Sequence, residues 1–136
     1  MNTAKKKLVL SGSSKLRDRM DFWKKHFEDK GYAVTAMPGI RSDTGDLAEQ
    51  YKKLYVDFYA AIDECDVFFL ANEDKNGTSG YIGANGTAEL VRAVVLKLTE
   101  KKEKQIYIAQ APSRDVLAYD EVTSFLRADW IKVYEL

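Results

Sequence analysis

The sequence predicts an α/β fold, a five-stranded parallel sheet with helices on both faces. Three observations carry this expectation. Short apolar runs alternate along the chain with stretches of helical spacing, the signature of a parallel sheet with crossover helices. One run, Val67-Phe68-Phe69-Leu70-Ala71, is apolar at every position, as a strand covered on both sides is. The 136 residues are 46% hydrophobic and 12% aromatic, which suits a single domain spanning 1–136 with a substantial core.

The elements follow in order. Leu8-Val9-Leu10 reads as a short buried strand, and Ser11-Gly12-Ser13-Ser14 as a turn whose hydroxyls suit a helix cap. Leu16, Met20, Trp23 and Phe27 recur at spacings of four, three and four, one face of a first helix that Gly31 is placed to end. Tyr32 to Met37 is a second strand, closed by Pro38-Gly39, and Ile40 to Asp46 is a polar loop. Leu47, Tyr51, Leu54, Phe58, Ile62 and Cys65 mark a second helix, and the third strand starts near Asp66. A glycine-rich stretch from Gly77 to Gly86 then leads into a third helix, Leu90 to Leu98, with Glu89 in its first turn. Glu100 to Lys104 is a charged turn, Ile106 to Ala109 a fourth strand, Ala118 to Arg127 a last helix, and Trp130 to Tyr134 a fifth strand.

Composition excludes several classes of function. Lysine plus arginine (21) equals aspartate plus glutamate (21), whereas a binder of nucleic-acid backbones shows a basic excess. Cys65 is the only cysteine, so there is no internal disulfide and no cysteine-rich metal site. His26 lies beside the apolar stripe of the first helix with no second histidine or cysteine near it in sequence, and reads as a surface residue. No metal and no cofactor is expected. Lys5-Lys6-Lys7 is followed by only three apolar residues, too few for a signal peptide or a membrane span, so a cytoplasmic protein without a membrane partner is expected. The phosphate-loop and dinucleotide-binding glycine patterns are absent, against an ordinary NTPase or a Rossmann dehydrogenase.

Five strands in this length suit the flavodoxin-like order 2-1-3-4-5. Ligands in such sheets bind beyond the C-terminal strand ends where the order reverses, here between strands one and three. The loops leaving those strands are Ser11-Gly12-Ser13-Ser14 and the segment from Asn72 to Gly86, the two most ligand-like of the chain. Glycines let backbone approach a ligand, and a helix start offers N–H donors. Glu89 then faces the first loop across a cleft. Its bland reading is an acidic residue favoured by the helix dipole. Asp57, Asp63 and Asp66 are candidates for a second acid, or solvated helix residues. Ser11, Ser13 and Ser14, with Lys15, have the chemistry to receive a phosphate, or the serines cap the first helix. Tyr51, Tyr55 and Tyr59 carry more aromatic surface than one helix face needs, which points to a homodimer or larger homo-oligomer.

Ile62 to Asn72, followed by Gly80-Tyr81-Ile82-Gly83 and Glu89-Leu90, resembles the nucleoside 2-deoxyribosyltransferase-like superfamily, which includes deoxynucleoside 5′-monophosphate N-glycosidases. The resemblance follows the element order of the whole chain, with about thirty residues in its specific part. It implies that Glu89 is a nucleophile towards the anomeric carbon of a deoxyribose, and that a second catalytic acid lies on the preceding helix, eight residues before the aspartate that opens strand three, with Asp57 the candidate. Counting eight back from Asp66 reaches Phe58, with Asp57 its neighbour. Val91 stands where the family often has glycine, and the loop after strand three is longer than in compact members. Gly12-Ser13 is like the turn of the branch that uses 5′-phosphates. The resemblance further implies substrate contacts at Ser11, Gly12, Ser13, Asn72, Tyr81, Gly83 and Asn85, a nucleoside or nucleotide as small-molecule partner, and no nucleic acid.

Two other readings compete with the enzyme. A non-catalytic nucleotide-binding or sensor module would keep the cleft without the chemistry. A CheY-like interaction domain needs an acidic pair after strand one, where this chain has Ser11-Gly12-Ser13.

Overall fold

In the computed structural model, which describes residues 4–39, 45–101 and 103–136, five strands form one sheet in the order β2-β1-β3-β4-β5. The elements alternate as β1 (Lys7–Gly12), α1 (Arg17–Asp29), β2 (Ala33–Ala36), α2 (Leu47–Glu64), β3 (Val67–Ala71), α3 (Ala84–Thr99), β4 (Gln105–Ile108), α4 (Tyr119–Arg127) and β5 (Lys132–Val133). Every pairing between neighbouring strands is parallel. The expected fold and strand order are therefore those observed. Of the loop expected over Ile40 to Asp46, residues 40–44 lie outside the described residues. Among the described residues no helix is long and apolar enough to cross a membrane.

Alternation along the strands divides the core between the two faces of the sheet. Leu8, Leu10, Val67 and Phe69 point to α1 and pack on Met20, Trp23 and Phe27. Val9, Phe68, Leu70, Ile106 and Ile108 point the other way, onto Ile62 of α2, Leu90, Ala93, Val94 and Leu96 of α3, and Val122 of α4. β3 is buried at all five positions because both faces are covered.

Two positions differ from the expectation. His26 is half-buried, its Nε2 2.8 Å from the Tyr134 hydroxyl, with Trp23 and Phe27 ring centroids 5.7 and 5.0 Å away. Burial, with Lys30 adding to it, pushes its pKa down. The second concerns the charged turn before β4. Lys104 is buried, 1% exposed, and its ammonium donates to the Ile62 carbonyl at 2.9 Å and to the Cys65 carbonyl, with Cys65 Sγ at 3.2 Å. These carbonyls end α2, where backbone acceptors lack helical partners and a cation is favoured. The lysine thus takes the place of a C-terminal cap. Burial pushes the Cys65 thiol up in pKa, against the pull of Lys104.

Lys104→Met keeps the length of the stem and removes the donor. It is expected to destabilise the protein by about 1–3 kcal/mol, the range for leaving buried neutral acceptors without a donor. Urea unfolding followed by circular dichroism measures this; an unchanged midpoint would mean that another donor or water reaches those carbonyls.

Candidate functional site

The strand order reverses between β1 and β3, and a cleft of about 550 Å³ opens beyond their C-terminal ends. The β1–β3 register pairs Ser11 with Leu70 and Gly12 with Ala71, so both following loops leave from the same level. Gly12 to Lys15 form one wall, α2 contributes Tyr55 and Asp57, and the loop after β3 with the start of α3 supplies Lys75, Tyr81, Gly83, Asn85 and Glu89. Gly12 has φ +154°, and a Cβ there would stand 2.9 Å from Met20 Cε and 3.1 Å from the Ala71 carbonyl oxygen. A side chain at this position meets both backbone strain and the neighbouring strand.

Glu89 lies in the second turn of α3, not the first. The helix begins at Ala84, with Gly83 as its N-cap residue, so the Asn85-Gly86 pair is helical and not a turn. Helix interiors disfavour glycine, but close packing on the sheet outweighs that preference here. A Cβ on Gly86 would stand 3.4 Å from Leu70 Cδ1 on β3 and from Ile82 Cγ2. This close approach brings Glu89 over the end of β1, where its Oε1 accepts a hydrogen bond from Ser11 Oγ at 2.6 Å. Burial raises the Glu89 pKa from 4.5 to about 7, and the Ser11 hydroxyl opposes the rise. Strong perturbation of a carboxyl in a cleft is a mark of functional sites.

The three candidate acids part company. Asp63 pairs with Arg92 through two hydrogen bonds of 2.9 and 3.0 Å, and Asp66 accepts from the Lys7 backbone N–H at 2.8 Å. Asp57 lines the cleft from α2. Asn85, also on the cleft wall, accepts from the Tyr55 hydroxyl at 3.1 Å.

Two expected substrate contacts are placed elsewhere. Asn72 is buried and staples the loops after β3 and β4: its amide donates to the Gly80 and Gln110 carbonyls at 3.3 and 2.7 Å and accepts from the Ala109 and Gln110 N–H groups at 2.8 and 3.2 Å. Ser11 is completely buried and turned to Glu89. By contrast Ser13 is not a helix cap. The N-cap of α1 is Leu16, without a side-chain cap bond. The Ser13 hydroxyl instead accepts from Lys75 Nζ at 2.9 Å and from the Lys15 N–H at 3.3 Å.

Lys75 is absent from the sequence-based candidates. It is half-buried, and Asn76 (φ 51°) and Gly77 (φ 79°) form a tight turn between it and Thr78, its partner in an antiparallel bridge. Paired positive φ values are those of a type I′ hairpin, for which Asn-Gly is the preferred sequence. The Asn76-Gly77 pair was a usable signal for the hairpin, though not for its target. Glu73, also on the cleft wall, accepts from Arg19 Nε at 2.9 Å and Trp23 Nε1 at 2.8 Å, tying the same loop to α1.

Comparison of the chain with protein-family models and with curated proteins returns no match in either case.

Because the folded pKa of Glu89 stands above its unfolded value, the folded state binds the extra proton between about pH 4.5 and 7. The stability that this proton confers is complete below pH 4.5 and is lost as pH rises through about 7. At 1.36 kcal/mol per unit the loss is on the order of 3 kcal/mol. Urea unfolding of the wild type at pH 5 and 8 is expected to show this loss, and Glu89→Gln, which stays neutral, to remove most of it. Equal pH slopes for the two proteins would contradict the burial of Glu89.

Proposed function

We propose that this protein cleaves or transfers the N-glycosidic bond of a 2′-deoxynucleoside 5′-monophosphate, with Glu89 as nucleophile. The observation that carries the reading is the arrangement of the cleft: a perturbed carboxyl from α3, and a cluster of Ser13, Lys15 and Lys75 where the β1–α1 turn meets the loop after β3. A phosphate monoester is recognised by hydroxyls, backbone N–H groups and cations, and Lys75 and Ser13 supply the first and last of these 2.9 Å apart. The similarity of the Gly12-Ser13 turn and of Glu89 to the deoxyribosyltransferase-like superfamily supports the same reading.

The chemistry follows from the groups present. A Glu89 oxygen attacks C1′ of the sugar as the bond from C1′ to the base nitrogen breaks, through an oxocarbenium-like state. The bonding pair leaves with the base, which takes a proton from a cleft acid or from solvent; Glu73 is engaged by Arg19 and Trp23, which leaves Asp57 as the candidate acid on the cleft wall. The product is a sugar ester of Glu89. Water, or a second base, then attacks C1′; the ester C–O bond breaks and the carboxylate is restored. A protonated Glu89 is a poor nucleophile, so activity should rise with pH through about 7.

A homodimer fits the surface. Tyr55 stacks on Tyr51 with ring centroids 6.0 Å apart and bonds Asn85, yet it stays 40% exposed. Beside it, Val56 on α2 and Val91, Val95 and Leu98 on the outer side of α3 are also exposed. Exposed apolar side chains grouped on neighbouring helices are a surface that a partner can cover. A second copy packed there borders the cleft through Asn85.

Incubation with deoxynucleoside monophosphates and detection of free base tests the activity. Glu89→Ala is expected to abolish base release with the fold retained. Lys75→Ala is expected to weaken monophosphate binding roughly ten- to a hundredfold, the worth of a charge-assisted bond, and to leave binding of the uncharged nucleoside unchanged. Binding of nucleotides without base release in any combination would favour a sensor module. Light scattering is expected to give twice the 15.4 kDa chain mass, and Val95→Asp to return it to one.

A further inference from the structure

Ser11 is the least accessible polar residue near the cleft. It is 0% exposed, within a strand paired on both sides, and its hydroxyl donates to Glu89 Oε1 across 78 residues of sequence at 2.6 Å. That length is at the short end of the range for O–H···O hydrogen bonds. A buried hydroxyl must find a partner, and β1 holds this one rigidly by its register with β3. The other partner rides on α3, whose first turn is packed against Leu70 and Ile82 through Gly86. Both ends of the bond are therefore fixed by elements, not loops.

We propose that Ser11 is a positioning residue for Glu89: it commits Oε1 to the strand end and leaves Oε2 as the oxygen that attacks. The proposal rests on the nucleophilic reading of Glu89 for its catalytic consequence, but not for its geometry. It also reassigns Ser11, which touches the carboxyl and not a substrate. The ionisable groups facing the same cleft are Lys15 from the β1–α1 turn, Tyr51, Lys53, Tyr55 and Asp57 from α2, and Glu73, Lys75 and Tyr81 from the loop after β3. Tyr59 of α2 also feels the Glu89 charge. Burial and the Ser11 hydroxyl dominate the proton affinity of Glu89, and they oppose each other.

The test compares wild type, Ser11→Ala and Ser11→Thr. Carbon-13 NMR of the Glu89 carboxyl, assigned with Glu89→Gln, gives its titration without any substrate. Ser11→Ala is expected to move the midpoint upward by roughly one pH unit. The rising limb of the kcat/KM profile should move with it, with kcat lowered at least tenfold and KM little changed. Ser11→Thr, which keeps the hydroxyl, is expected to restore both. An unchanged Glu89 midpoint in Ser11→Ala overturns the proposal, whatever the activity. A shifted midpoint in a protein that releases no base leaves the positioning intact and removes the glycosidic reading instead.

Discussion

The parallel pairing of β1 with β3 is the constraint on which the rest of this molecule depends. Chain order would place β2 between them. Placing β1 beside β3 instead sends the connections from the two strands to opposite faces of the sheet, α1 to one and α3 to the other. The loops at their C-terminal ends cannot pack on each other, and a cleft opens between them. The register from Leu8↔Val67 to Gly12↔Ala71 then sets the level of its floor. Gly12 can end the strand there because it has no Cβ to meet Met20 or the Ala71 carbonyl.

Two opposing influences act on the carboxyl at that cleft. Taking Glu89 out of water favours its neutral form; a short bond from Ser11 favours the ion. Burial wins, and the group is left near the midpoint of its titration at neutral pH. A fully solvated carboxylate would be ionised but bound to water, and a carboxyl buried without Ser11 would hold its proton more tightly still. The cationic side of the cleft is built with the same economy. Lys75 is held on a two-residue turn, and Arg19 and Trp23 clamp the neighbouring Glu73. These contacts tie that loop to α1 and to the β1–α1 turn.

Much of the fold was legible because period and propensity agree with packing. The stripe Leu16, Met20, Trp23, Phe27 leaves only its last three residues in the buried core of α1, and Leu16 becomes the residue before the first turn. The wholly apolar run at Val67–Ala71 is the central strand. The start of α3 was not legible, because Asn85-Gly86 is ordinarily a turn signal and only the proximity of Leu70 and Ile82 makes glycine suit a helix there. Lys104 reads in sequence only as part of a charged turn, since its acceptors lie 39 and 42 residues away. The same holds for Asn72, a loop amide by sequence and a staple in space, and for Lys75, whose partner Ser13 is 62 residues distant. Period reports which face is buried; it carries no information on which polar groups meet there.

The central claim is that Glu89 attacks the sugar, and trapping the ester tests it most directly. A 2′-deoxy-2′-fluoroarabinosyl nucleoside monophosphate slows breakdown of such an ester by destabilising the oxocarbenium-like state. After acid quenching, peptide mass spectrometry should find the fluorinated sugar phosphate on the peptide that contains Glu89, and on no other. Free base released without any adduct at Glu89, or an adduct on a different residue, would contradict the account.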